Sequence, residues 1–427
     1  MSISTDSDNT SAVFLHAGEQ KKQHPHRWYY WTVAVSFVLL QFFLQLSSGV
    51  VLGAIMHELK FNALAIGILA SAFYYVYTVL QIPVGIIYDH CNARLIITSS
   101  VALCSLGCFM FAATHSFPLL FIGRLLIGAG SAFAFVGLTH ILRQYFPLRD
   151  FSFLIGLSET LGFFATVIGM IGMGSAIAII GWREFIVGAG IFGLIISMFS
   201  LRIFPANELQ NNHSFAAFLP AMKSILKNPY IWLNSIFVSL SFTVITVFGA
   251  LWVIPFLQVK LNCSLTMASY LGAMVFAGAG ISCPLFGKLA IVYTSRRRIM
   301  LASCLTTAIL EALFLYGQHQ NLFLNGLLLF LTGLCCGGYL LSFSIANELA
   351  TKETLSTCTG FTNTLTMLSA PILQPLIGHI LDQHYSGSTI HTLWDYQLAL
   401  SILPACLIIS ALMACFLPEK NHTSTHF

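Results

Sequence analysis

Long apolar runs recur along almost the whole chain, separated by short clusters of charged and turn-forming residues. A bilayer core about 30 Å thick needs about 20 mostly apolar residues per helix. Marking such runs predicts twelve spans, at roughly 28–56, 62–88, 94–114, 117–146, 150–178, 183–203, 229–258, 264–293, 297–317, 320–348, 354–382 and 393–417. Connections are short except for about residues 204–228, a polar stretch at the midpoint that contains Asn211, Asn212, Lys223 and Lys227. Twelve spans divided six and six by one longer linker predict an all-α membrane protein of two fused six-helix halves. The halves cover about residues 28–203 and 229–417, with tails at 1–27 and 418–427. The first apolar run is too long for a signal-peptide core and lacks a clear small-residue cleavage site, so it is expected to remain as the first span.

Composition agrees with the pattern. Of 427 residues, 57% are apolar and 8% are charged, against about a quarter charged in soluble domains. With a mean hydropathy of +0.83, the chain cannot cover a water-facing surface. That excludes a soluble enzyme, a disordered scaffold and a nucleic-acid binder. Most of the 11 cysteines lie inside apolar runs, with no CxxC pair and no Cys/His zinc spacing. They read as small polarizable packing residues, and no metal and no cofactor is expected.

The basic residues set the orientation. With both termini inside, the inside segments hold fourteen of the nineteen Lys and Arg residues, the outside loops hold Lys60, Arg183 and Lys260, and Arg124 and Lys288 fall within spans. This is the positive-inside bias. Both termini are therefore expected in the cytoplasm, and the short loops point to a bacterial inner membrane.

The loop between spans 2 and 3 reads Gly85-Ile-Ile-Tyr-Asp89-His-Cys-Asn-Ala-Arg94. It resembles the signature of the major facilitator superfamily, although His90 and Asn92 replace a basic residue and a glycine of that pattern. Span 4, with Gly123-Arg124-Leu-Leu-Ile-Gly128-Ala-Gly130-Ser-Ala132, is similar to the superfamily's fourth-helix pattern. Gly181-Trp182-Arg183 looks like its usual turn before span 6. In the second half Gly287 and Arg296-Arg297-Arg298 echo the loop signature, with Ile291 where the acid would stand. A finer resemblance, carried by residues 130–137, the Gly-rich fifth span, Gly360-Phe-Thr-Asn363, Gln374-Pro375, Gly378 and Asp382, is to the phagosomal nutrient transporters of intracellular bacteria. That group is itself similar to lysosomal dipeptide transporters. The resemblance implies uptake of amino acids, short peptides, nucleosides or similar metabolites. It also implies a monomer with spans 1, 4, 7 and 10 around a central cavity, and a gate-stabilising role for Asp89 and Arg94.

A charged side chain inside a bilayer costs about 2.5–3.5 kcal/mol on insertion scales, so each needs a reason. Arg124 is expected to face a partner or a wet cavity, either as an anion anchor whose planar fork fits a carboxylate or as a structural contact. Glu159 lies about 13 Å into span 5 at 1.5 Å per residue. It is a candidate for proton coupling, for holding a substrate amine or for a static pair with Arg124. Glu311, in span 9, is a weaker candidate.

Polar stripes at helical spacing add Gln41, Gln45 and Ser48 in span 1, and Tyr74, Tyr77, Thr78 and Gln81 in span 2. Span 7 carries Ser235, Ser239, Thr243 and Thr246, and span 11 carries Thr359, Asn363 and Thr366. Tyr339, Ser342 and Asn347 in span 10 complete the set. Gln41, Gln45, Tyr74, Tyr339 and Asn363 are expected to supply neutral hydrogen bonds to substrate. Hydroxyl stripes are weaker signals, because Ser and Thr satisfy themselves on the preceding turn. His140 and His379 read as packing residues.

The pattern favours a secondary transporter, driven by a proton gradient and rocking its halves about a midplane site. The expected partners are a small-molecule substrate and the lipid bilayer, with no nucleic acid. A proton-driven efflux antiporter is the alternative, weakened because span 5 has no proline. A membrane-embedded enzyme would need a convergent catalytic cluster, and a pump would need a phosphate-binding loop; the sequence has neither. A non-transporting sensor has no appended domain to support it.

Overall fold

The twelve apolar runs form twelve helices of membrane-crossing length and composition. They are α1 (Arg27–Met56), α2 (Ala63–Gly85), α3 (Ala93–Ala112), α4 (Phe117–Tyr145), α5 (Phe153–Ile177), α6 (Trp182–Ile203), α7 (Pro229–Leu261), α8 (Leu265–Ala290), α9 (Arg296–Tyr316), α10 (Leu322–Leu349), α11 (Thr357–Gln383) and α12 (Leu393–Ala414). The computed structural model describes residues 25–205, 218–293, 295–351, 354–383 and 391–419. Both expected tails except residues 25–27, 418 and 419, and the first part of the linker, lie outside these. The rest of the linker contains a short helix, Phe218–Lys227.

Short loops demand abrupt helix starts, and side-chain caps supply them. Asn62 accepts from the Ala65 N–H at 2.9 Å, Asn321 from Leu324 at 3.1 Å, and Thr392 forms a reciprocal box with Asp395. Each satisfies a donor that the helix itself leaves open. Large apolar side chains such as Val79, Ile168, Ile309 and Leu412 remain exposed along the outer helix faces, as a lipid-facing surface requires.

In the first half α3 packs on α4 and α6, and α4 also meets α1 and α2; in the second half α8 packs on α10, and α9 on α10 and α12. Between the halves α2 meets α11, α5 meets α8 and α1 meets α7. The second half thus repeats the roles of the first, with α2 and α8, α5 and α11, and α1 and α7 exchanging places.

An even number of spans puts the start of α1 and the end of α12 on one face, the terminal face. On the opposite face the halves meet backbone to backbone. A Cβ at Gly67 of α2 would lie 2.5 Å from the Gln374 carbonyl oxygen of α11, and one at Gly378 would lie 2.4 Å from that of Ala63. Only glycine admits such an approach. Asp382 then latches the contact. Its two oxygens accept from the first N–H groups of α2, Ala63 at 3.1 Å and Leu64 at 2.8 Å, where the helix dipole favours a carboxylate. His391 Nε2 stands 3.7 Å from the same carboxylate.

Three spans depart from α-helix at buried positions, and α12 is interrupted at the half-buried Ser401. α1 breaks at Ser47, α7 winds as a π-helix over Val244–Trp252, and α10 tightens to a 3-10 turn over Cys336–Leu340. All three breaks lie in buried parts of the bundle.

A second tie on the opposite face joins the end of α1 to the start of α6. Glu58 accepts from Trp182 Nε1 at 2.6 Å and from Arg183 Nη1 at 2.5 Å, and the Arg183 guanidinium lies over the Trp182 ring at 4.2 Å. Partial burial pushes the Glu58 carboxyl up, but the bonds from Arg183 and Trp182 and the Arg183 charge outweigh it and hold the carboxyl below its ordinary 4.5. A depressed folded-state value contributes stability above the unfolded value and loses it as pH falls through the folded one. Glu58→Gln is therefore expected to lower the thermal midpoint at pH 7, with the deficit shrinking as pH drops below 4.5. A deficit that is independent of pH, measured by thermal unfolding of the purified chain, would show that charge plays no part.

Candidate functional site

The break in α1 is built from its own sequence. Ser47 N bonds to Phe43 O, Val50 N to Ser47 O, and the Ser48 hydroxyl bridges Gln45 O at 3.1 Å and Ala250 O of α7 at 3.2 Å. The Leu44 carbonyl receives Arg124 instead, with Nη1 at 3.0 Å, while Nη2 reaches Ala70 O of α2 at 3.4 Å. The guanidinium also stands 5.5 Å from the centre of the Phe73 ring. Arg124 is 4% exposed and pairs with no carboxylate among the described residues. Its geometry is that of a clamp joining α1, α2 and α4. The apolar residues Phe43, Phe111, Ile127 and Met173 share the small cavity beside it.

The amides lie farther toward the terminal face. Gln41 donates to Gln45 one turn on, and Gln45 Nε2 reaches the Met367 sulfur of α11 at 3.5 Å. The Tyr74 hydroxyl lies beside Gln45 but outside hydrogen-bonding geometry. Gln81 accepts from Asn363 Nδ2 across the two halves at 2.8 Å. Nearer the opposite face, Gln374 Oε1 accepts from Ser71 of α2 at 3.2 Å, and its Nε2 donates to Thr246 O in the π stretch at 2.7 Å. The structure thus brings Gln41, Gln45, Tyr74 and Asn363 to one seam among α1, α2 and α11, and adds Gln81, Ser71 and Gln374.

Glu159 is at the other inter-half contact. Thr160, its neighbour in α5, donates to Gly280 O of α8 at 3.3 Å. The Glu159 carboxylate is partly buried and lies close enough to Cys283 of α8 and Tyr339 of α10 to act on both electrostatically. The Cys283 sulfur and Tyr339 hydroxyl are 4.0 Å apart. Tyr339 stacks on Phe242 of α7, with centroids 4.6 Å apart, in the 3-10 turn of α10. An acid from one half therefore faces titratable groups of the other, and no static Arg124–Glu159 pair forms.

The remaining candidates separate from these. Glu311 is fully buried inside the second half, both oxygens without a partner. It shares its face with Ser303, which accepts from Gly338 N at 3.0 Å and donates to Cys335 O at 2.6 Å. Ser235 of α7 pairs with Thr362 at 3.2 Å, whereas Thr243 and Thr246 bond to their own preceding turns. Arg94 starts the helix of α3, where its N–H donates to Asn92 at 2.8 Å; the Asp89 side chain lies outside the described residues. His140 stacks on Tyr88 and His379 meets Gln383. Lys260, which the sequence places in a loop, is 5% exposed. It donates to Phe314 O at the end of α9, with its ammonium 4.5 Å from the Phe314 ring centre.

Gln374 was legible as a member of the Asn363 face, eleven residues on and flanked by Pro371 and Pro375. Asp382 stood out only as part of the finer resemblance and Cys283 not at all, since their partners lie on distant helices.

A family model described as the Major Facilitator Superfamily matches residues 33–372 and, in a second match, 236–427. The chain belongs to this superfamily. Among curated relatives it is 26% identical over 191 residues, 44% of each chain, to the uncharacterized transporter YybO of Bacillus subtilis. It is 27% identical over 155 residues to the probable galactarate/D-glucarate transporter GudP of the same organism, 35% of this chain and 34% of the relative. The matched stretches span less than half the length of these relatives. Among solved structures, a bacterial homologue of the human lysosomal transporter Spinster, inward-facing and occupied, aligns with a TM-score of 0.75 at 16% identity, covering 92% of this chain and 97% of that one. The nucleoside transporter NupG aligns at 0.70 and 17% identity, covering 92% and 100%. Both likenesses concern the fold. The family model thus carries the superfamily membership, and the solved structures show the same fold.

The clamp geometry of Arg124 has a measurable consequence. Arg124→Leu orphans two buried carbonyls and is expected to cost about 1–3 kcal/mol of stability. Arg124→Lys, a point charge without the fork, is expected to recover part of it. Thermal unfolding of the purified variants checks this, and a Leu variant as stable as the parent would contradict the clamp.

Proposed function

We propose that this chain is a proton-coupled uptake transporter for a small polar metabolite, with Glu159 as the proton-carrying group and both termini in the cytoplasm. The observation that carries the reading is the position of Glu159, on α5 of one half against Cys283 and Tyr339 of the other. When the halves rock, the surroundings of that carboxyl change from protein to water. Its proton affinity follows, because burial and nearby charge are what set it. Coupling needs no more than this: the proton is held in one state and released in the other.

The inter-half seam supplies the second requirement. Gln41, Gln45, Tyr74, Gln81 and Asn363 are neutral, so contacts across the seam exchange for contacts with a solute at modest net cost. With the basic residues gathered at the terminal face, the positive-inside bias makes that face cytoplasmic. The names of the relatives, carriers of sugar acids and of nucleosides, support a solute of similar size and polarity, as does the resemblance to nutrient permeases.

Proteoliposomes with an imposed inward proton gradient and radiolabelled amino acids, dipeptides, sugars and nucleosides test the reading. Glu159→Gln is expected to abolish accumulation against a gradient while solute counterflow survives. Accumulation by the variant would remove the coupling role. Release of preloaded solute, in place of uptake, would favour efflux.

A further inference from the structure

The structure assigns the solute to a chemical class: an uncharged molecule with adjacent hydroxyl groups, as in a sugar or the ribose of a nucleoside, and not a carboxylic acid. The inference rests on the transport reading above and refines it.

Three buried polar atoms on neighbouring turns have no partner: Gln41 Oε1, the Tyr74 hydroxyl and the Thr78 hydroxyl. Their residues are 2%, 0% and 6% exposed. Gln41 is one turn from Gln45, Gln45 lies beside Tyr74, and Thr78 follows Tyr74 by one turn, so the three line a continuous strip on α1 and α2. Buried polar groups are ordinarily paired, and orphans ask for an explanation. A ligand that pairs them on entering the seam is the one that suits a transporter.

The chemistry of the strip selects that ligand. The Gln41 oxygen only accepts, while the two hydroxyls donate or accept. A carboxylate offers acceptors alone and would set its charge against the Gln41 oxygen. A hydroxyl donates and accepts, so a pair of adjacent hydroxyls satisfies the strip without bringing charge into the bundle. Anion binding would need a cation, and among the described residues the buried cations are Arg124 and Lys260. Arg124 commits both terminal nitrogens to Leu44 O and Ala70 O and keeps only Nε open, so it cannot offer its two-pronged fork to a carboxylate, and Lys260 is held on Phe314 O at the opposite face. At the other inter-half contact Glu159, Cys283 and Tyr339 supply no cation either.

The test is thermal unfolding of the full purified chain with uridine, methyl glucoside or myo-inositol, set against glucarate and galactarate. At least one neutral solute is expected to raise the midpoint, and the two acids are not. Thr78→Val removes an orphan and is expected to keep the ligand-free midpoint while weakening the apparent affinity for the neutral solute about tenfold; Gln41→Leu is expected to weaken it likewise but to lower the ligand-free midpoint, because it takes the donor from Gln45 Oε1. A shift with the acids and none with the neutral solutes overturns the class. No shift with either, or an undiminished shift in both variants, overturns the role of the strip. Neutral-solute binding with uptake indifferent to the proton gradient would sink the role of Glu159 and leave this assignment standing, so the two readings fail separately.

Discussion

A helix inside a bilayer has no water to fall back on, so every backbone group that a span leaves open must find a partner within the chain. The architecture follows from how this molecule meets that demand where its helices depart from α geometry. The break in α1 leaves the Leu44 carbonyl to Arg124, and the Ser48 hydroxyl ties the same turn to α7. The π stretch of α7 gives its Thr246 carbonyl to Gln374. The tight turn of α10 is covered from both sides by Ser303. At each of these three places a polar side chain from another span reaches the irregular backbone, whereas the interruption of α12 at Ser401 is met within its own turn. The breaks in α1 and α7 meet each other between the two halves.

That arrangement bears on movement. A regular helix is stiff, whereas a π or 3-10 segment already sits off the α geometry and commonly marks a functional hinge. The two ends of the bundle are closed in different ways. The opposite face is shut by glycine-mediated backbone approach and by Asp382 on the first turn of α2, while toward the terminal face the halves meet through amides and hydroxyls. Neutral hydrogen bonds of this kind exchange readily between protein and solute. Backbone contact can only be made or lost as a unit, which suits a gate with two states.

Much of the fold was legible because length and apolarity alone decide what crosses a bilayer: all twelve spans lie where the runs of residues placed them. The Gln41/Gln45 stripe was legible too, since adjacent amides on one face are a poor match for lipid. Arg124 was visible as a residue in need of a partner, but not as a clamp. Its partners are main-chain carbonyls 80 and 54 residues away, and carbonyls leave no mark in sequence. The latch role of Asp382 was hidden for a similar reason, because its partner is the start of a helix some 319 residues distant. Lys260 reads as a loop residue by spacing, yet the aromatic rings and the carbonyl at the end of α9 take it inside. Glu311 was recognisable as unusual, and its isolation inside the second half was not.

The central claim is that two rigid halves exchange access to a shared seam, closing one face as the other opens. The most direct measurement is the distance between spin labels at Lys60→Cys and Thr392→Cys on the opposite face, after the exposed Cys91 and Cys415 are changed to serine. In lipid, the account predicts a short distance matching the closed face and a second, longer one, with the balance between them moving as pH changes. A single distance that stays fixed across pH would contradict it.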